Sequence, residues 1–233
     1  MQMTVLGSGS SGNCYIVGSS NERVLLDCGL TQREILRGLN FNVVVVDAIL
    51  LTHEHKDHAL SARAFHKMGV PVYSGAETAH KCEYIRPVSA LKPFSAGKFN
   101  IVGFPLPHDE TPNMGFLMRH PDMGTLLYMT DFAYCPYNFK KVGINHLMVE
   151  CNYCESELDV DDEAYKHRVQ GHAGLNTTKG VIRANMTDAL KTVTIIHVSS
   201  NYGNPDRMLT EVKSIVGDGV KVNIAVPGLT IQL

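Results

Sequence analysis

The stretch Thr52-His53-Glu54-His55-Lys56-Asp57-His58 sets three imidazoles and a carboxylate in HxHxDH order. Alternate side chains of an extended segment point the same way, so His53 and His55 can grip one cation. Asp57 and His58, past a bend where a helix would begin, can turn toward a second. A solvated loop that merely contains histidines is the alternative, but four ligand-type residues in this order are hard to obtain by chance. Imidazole and carboxylate donors without a thiolate suit Zn²⁺ or Mn²⁺, and donor type does not separate the two.

The elements around this cluster must deliver it to one place. The nearly unbroken apolar run 43–51 reads as a buried strand carrying the cluster to its end. Before it come strands at 2–6, 14–17 and 24–29 and a helix capped by Thr31 and running through 39. After it come a helix at 59–68 and a short strand at 70–73, where Pro71 favours a sheet edge. Further strands are expected at 98–107, 124–131, 147–152 and 192–202, with helices at 157–169 and 176–186. The Gly7–Asn13 Gly/Ser loop lacks the Gly-Lys-Ser/Thr ending of a phosphate loop and leads into a strand, so on physical grounds it is a hairpin turn. His66 and His80 fall outside any ligand pattern and read as surface or packing histidines.

A chain of 233 residues with 44% hydrophobic content can bury one sizeable core, so residues 1–233 are expected to form a single domain. The net charge of −2 excludes a strongly basic nucleic-acid grip, although a local patch beside a metal site remains compatible with a phosphate backbone. The N-terminus lacks a basic, then apolar, leader pattern, and no run approaches the length of a membrane span. The expectation is a cytoplasmic protein without a membrane partner, with homo-oligomerisation left open. Six cysteines suggest reduced thiols rather than a disulfide framework, and the lone Cys151-Asn152-Tyr153-Cys154 motif is a weak metal or redox signal.

HxHxDH after an apolar strand resembles the metallo-β-lactamase superfamily of binuclear metallohydrolases. That resemblance implies an α/β fold, the αβ/βα four-layer sandwich. It also implies a ligand set: His53, His55 and His108 on one ion, Asp57, His58 and His197 on a second, and Asp131 between them. Taken alone, Asp131 would read as a turn or capping aspartate. GSGSSGNC, the order Glu150, His172, His197, and the motifs GHAGLN and HVSSNYGNP narrow the resemblance to the YycJ/WalJ branch, which is related to RNase Z. The implied activity is metal-dependent phosphodiester hydrolysis of nucleic acid, with DNA exonuclease action expected. Asp57, His172 and Glu150 form the expected catalytic set: His172 as general acid, poised by Glu150, or alternatively as a capping residue. Ser8, Ser11, Asn13, Asn176, Ser199 and Asn201 are the expected substrate contacts. The alternatives are a glyoxalase II- or lactonase-like hydrolase, an RNase Z-like RNA-processing nuclease, or a non-catalytic metal-binding module. The chain departs from the family pattern at Gly174 and Leu175. No stretch is long enough for an RNase Z arm or a β-CASP insertion.

Overall fold

Strands with apolar side chains on both faces need cover on each side, and that requirement sets the architecture. In the computed structural model, which describes residues 1–233, the chain opens with β1 (Gln2–Gly7), β2 (Cys14–Gly18), β3 (Arg23–Leu26), α1 (Gln32–Gly38) and β4 (Val46–Leu50). It continues through α2 (Lys56–Ala59), α3 (Ala62–Lys67), β5 (Val72–Gly75), α4 (Ala76–Lys81) and β6 (Ile85–Val88). The second half begins with β7 (Pro93–Ala96), β8 (Phe99–Leu106), β9 (Asn113–His120), β10 (Gly124–Met129) and β11 (His146–Glu150). Then come α5 (Tyr165–Gly171), α6 (Leu175–Asn185), β12 (Thr192–Ile196), α7 (Pro205–Val216), β13 (Lys221–Ile224) and β14 (Thr230–Gln232). They form two seven-stranded sheets, ordered β14-β1-β2-β3-β4-β5-β6 and β13-β12-β11-β10-β9-β8-β7.

Three apolar clusters separate the layers. On β2, Tyr15 and Val17 enter the cluster between the sheets, where Leu126 and Tyr128 of β10 meet them. Cys14 and Ile16, on the other face of β2, pack with Ile35 of α1 and Phe65 of α3. Leu127 and Met129, on the other face of β10, pack with Ile182 of α6 and Met208 of α7. The result is the helix–sheet–sheet–helix sandwich that the resemblance implied.

Several boundaries differ from the sequence reading. The 43–51 strand shrinks to Val46–Leu50, because residues before Val46 form a turn in which Val44 is 95% exposed. Pro71 precedes β5 and uses only its carbonyl, which accepts from Ile49 N–H, so β5 lies inside the sheet rather than at an edge. The 59–68 helix starts earlier, at Lys56, and breaks between α2 and α3. The expected helix at 157–169 is only α5; ahead of it, Asp159 and Asp162 side chains accept from the backbone N–H groups of Asp161 and Ala164, a competing turn geometry. Thr31 does cap α1, in a reciprocal capping box with Glu34.

His146 on β11 gives one stability prediction. Burial presses its pKa down to about 4, and its Nδ1 contacts Thr192 Oγ1 at 2.9 Å. The unfolded chain therefore binds more protons between pH 6.5 and 4, so this residue's contribution is present above 6.5 and is lost as pH falls toward 4. Across that window His146→Gln should show a shallower loss of stability than the wild type, by about 3 kcal/mol at most. Urea unfolding at pH 7 and pH 4.5 checks this, and parallel losses in both proteins would contradict it.

Candidate metal centre and active site

All the candidate ligands lie just beyond the C-terminal ends of strands at one rim of the sandwich, where loops are free to converge. His53, His55 and His108, from the loops after β4 and β8, offer ligand atoms within 4.8 Å of one another. Asp57, His58 and His197 form a second such group, and His53, His58 and Asp131 a third that joins them. Asp131 Oδ2 is 2.7 Å from His58 Nε2 and 3.5 Å from His53 Nε2, while Oδ1 is 2.5 Å from His197 Nδ1.

The outer nitrogens of most rings are already committed. His58 Nδ1 donates to Asp27 Oδ2 at 2.8 Å, His108 Nδ1 to the Gly171 carbonyl at 2.7 Å, and His197 Nδ1 to Glu150 Oε1 at 2.7 Å. His53 Nδ1 donates to Thr52 Oγ1 at 3.0 Å, and that hydroxyl donates to Asp27. These bonds leave Nε2 lone pairs turned inward, and the Nε2 atoms of His53 and His197 are buried with no hydrogen-bond partner. His55 is oriented differently: its Nε2 meets Thr111 Oγ1 and its Nδ1 faces His108 Nε2 at 3.4 Å. Inward lone pairs backed by outer acceptors are what divalent cations require, so this donor set fits divalent metal.

The carboxylates that would attract cations also draw protons onto two of the rings. Burial disfavours ionised His58 and His197, but Asp131 and the other adjacent carboxylates outweigh it and hold both well above the usual imidazole range. Burial and neighbouring cations press His53 down, and burial also lowers His108. Against burial, His197 and His58 keep the Asp57 and Asp131 carboxyls well below the usual range.

Asp27, on which no motif drew attention, supports two of the candidate ligands: His58 directly and His53 through Thr52. It also accepts from Thr52 N–H at 2.8 Å and from the Tyr128 hydroxyl of the opposite sheet at 2.7 Å. Its only sequence signal is an aspartate closing an apolar strand. Asp27→Asn should retain the fold and lower metal affinity about 10- to 100-fold. Competition against a chromogenic chelator measures this, and unchanged affinity would rule out the supporting role.

Asp27, Asp131 and His197 all have left-handed backbone, with φ of 57°, 50° and 53°. Such conformations persist where surrounding bonds over-determine them. Asn113 Nδ2 donates to the carbonyls of Thr130 and Asp131. The His197 N–H donates to Ser8 Oγ, and its carbonyl accepts from Asn152 Nδ2.

The Gly/Ser loop buttresses the same rim. Asn13 is fully buried; its N–H donates to the Asp57 carbonyl at 2.7 Å, and its Nδ2 sits 3.1 Å from His58 Nε2. Gly29 is required by contact, since a Cβ there would lie 1.6 Å from the Asp57 oxygen.

Among the expected substrate contacts, Ser199 lines the pocket of about 260 Å³ over the ligands, and so does Ser10, which sequence reasoning did not single out. Ser8 and Asn13 instead hold His197 and the α2 turn. Ser11, Asn176 and Asn201 are exposed and do not line that pocket.

His172 is the C-cap residue of α5, and α6 starts three residues later at Leu175. Its Nδ1 lies 2.8 Å from Glu150 Oε1, the oxygen that also holds His197, so Glu150 serves both rings. Glu150 Oε2 accepts from the N–H groups of Ala173 and Phe132. Burial opposes ionisation of His172, but the Glu150 and Asp131 carboxylates prevail and raise its pKa to about 9. His172 Nε2 is left unengaged in the same pocket. His66 and His80 are exposed and belong to none of these ligand groups. The six cysteines form no disulfide.

The metallo-beta-lactamase superfamily model matches residues 7–131. Exodeoxyribonuclease YycJ of Bacillus anthracis is 28% identical over 221 residues, covering 85% of this chain and 83% of that protein. Exodeoxyribonuclease WalJ of Streptococcus pneumoniae is 30% identical over 146 residues, 56% of this chain and 54% of that one. Among solved structures, the metallo-beta-lactamase fold protein YhfI from Bacillus subtilis is similar with a TM-score of 0.77 at 19% identity, covering 99% of this chain and 98% of that one. That last likeness concerns the fold alone. Because the family match spans more than half of the sequence and takes in the HxHxDH segment and Asp131, the chain belongs to the metallo-beta-lactamase superfamily, as a metal-dependent hydrolase.

Proposed function

We propose that the protein is a two-metal phosphodiesterase that hydrolyses nucleic acid, with DNA as substrate and cleavage from strand ends. The observation that carries this reading is the Glu150–His172 pair beside the ligand set: an imidazole with a raised pKa, its Nδ1 fixed at 2.8 Å and its Nε2 unengaged in the pocket. Departure of a sugar oxygen needs a proton, whereas a thioester's leaving thiolate does not, so such a donor suits a phosphodiester. The exodeoxyribonuclease names of the two relatives support DNA.

His53, His55 and His108 would hold one ion, Asp57, His58 and His197 the other, with Asp131 shared; Zn²⁺ and Mn²⁺ both suit these donors. When bound, such a pair lowers the pKa of a water and polarises a phosphoryl oxygen. The chain's own residues do the rest. Asp57, held ionised, is placed to accept a hydrogen bond from the attacking water, and His172 Nε2–H donates to the leaving oxygen. A neighbouring cleft of about 760 Å³ shares His55 and His167 with the metal pocket and presents Tyr134, giving a strand room to continue. A separate, more apolar cavity of about 420 Å³ contains none of the ligands. We place the protein in the cytoplasm, which suits cysteines that form no disulfide; no helix is long and apolar enough to cross a membrane.

Metal-loaded protein assayed on end-labelled single- and double-stranded DNA and RNA, beside a thioester and a lactone, tests the reading. Stepwise release of nucleotides from DNA ends is expected. Turnover confined to the thioester or lactone would overturn it.

A further inference from the structure

We propose that Arg168 grips a phosphate of the substrate beside the metal centre, an inference that rests on the phosphodiesterase reading above. The pocket over the ligands has no apolar residue in its lining, and Arg168 is its sole Lys or Arg. The side chain is only 19% exposed, yet its Nε is buried without a hydrogen-bond partner. The nearest carboxylate does not take up the fork. Asp162 Oδ2 lies 3.9 Å from Nη2, beyond hydrogen-bond distance, and accepts instead from the Tyr202 hydroxyl at 2.5 Å. The guanidinium rests over the Tyr202 ring, its Cζ 4.4 Å from the centroid.

Contact with the ring thus holds the guanidinium in place while leaving its Nε donor unspent. A mostly buried guanidinium with its Nε unspent, facing a polar pocket, matches the paired oxygens of a phosphate. Its position in the helix adds a second argument. The His172 N–H donates to the Arg168 carbonyl at 2.9 Å, one helical turn away, so both side chains project from one face of α5 into the same pocket. The phosphate grip and the proton donor would then be positioned by a single short element. Arg168 is a positioning residue in this scheme and takes no part in proton transfer.

The test titrates inorganic phosphate into metal-loaded wild type, Arg168→Gln and Arg168→Lys, by calorimetry and as an inhibitor of p-nitrophenyl phosphodiester cleavage. Arg168→Gln should weaken phosphate binding on the order of 10- to 100-fold, raise KM more than it lowers kcat, and leave metal content unchanged. Arg168→Lys, a point charge without the fork, should recover only part of the loss. Phosphate affinity within twofold of wild type in Arg168→Gln, with metal content intact, would overturn the proposal. Should Gln unfold α5, Arg168→Lys carries the test: weakened phosphate binding supports the grip and wild-type affinity overturns it. The two readings fail separately. Phosphate binding that depends on Arg168 in a protein cleaving no phosphodiester would sink the nuclease reading alone, and diester cleavage with phosphate affinity indifferent to Arg168 would sink the grip alone.

Discussion

Asp131→Asn is expected to abolish joint binding of two ions and to reduce turnover to near background, with the fold retained. Asp131 reaches both sets of candidate ligands through Oδ2, which lies 3.5 Å from His53 Nε2 and 2.7 Å from His58 Nε2. Its φ of 50° is tolerated by aspartate and asparagine. Asn therefore keeps the backbone and removes the charge, whereas Ala would add backbone strain. Without the carboxylate, the first of the charges that raise the pKa values of His58 and His197 is also lost, so both rings should titrate at lower pH. Elemental analysis with urea unfolding reads the two effects apart. Two ions per chain in a folded Asp131→Asn protein would show that Asp131 is not shared.

The second large effect is expected at His172. His172→Ala should retain metal and lose about 10²- to 10⁴-fold in turnover on DNA, the usual range for a general acid. The loss should shrink on a p-nitrophenyl phosphodiester, whose leaving group needs little protonation. A proton donor also fixes the sign of the pH effect. His172 holds its proton below a raised pKa of about 9, a shift that bound cations would oppose, so kcat should fall as pH rises through that pKa, and His172→Ala should lack this limb. Equal losses on both substrates with metal intact would make His172 a substrate-positioning residue instead; loss of metal would make it a ligand. Glu150→Gln is not a milder copy of this variant. Oε1 also holds His197, so that change should weaken metal binding as well as proton donation.

The HxHxDH segment was legible because its spacing is local: two residues of extended chain and one turn of helix suffice to aim four side chains. The strands that bring the remaining residues to the rim were legible as apolar runs, and the family resemblance supplied the order in which their ends matter. Asp27 was not legible, since its partners Thr52 and Tyr128 lie 25 and 101 residues away. The parts played by Ser8 and Asn13 were hidden for the same reason: a serine or asparagine in a Gly/Ser loop looks alike whether it faces substrate or buttresses a histidine. Val44 and Pro71 show the limit of reading strands from composition, because neither exposure in a turn nor position within a sheet is written in local hydrophobicity. The left-handed backbone at Asp131 and His197 likewise depends on bonds from Asn113, Asn152 and Ser8 that only the fold brings near.

The central claim is that two ions held by this ligand set make a phosphodiesterase, and the most direct test is the number of metal equivalents needed to switch on nucleotide release from end-labelled DNA. Metal-free protein titrated with Mn²⁺ or Zn²⁺ should stay nearly inactive through the first equivalent per chain and reach full activity as the second is added. Full activity at one equivalent, with no further binding in excess metal, would contradict the claim.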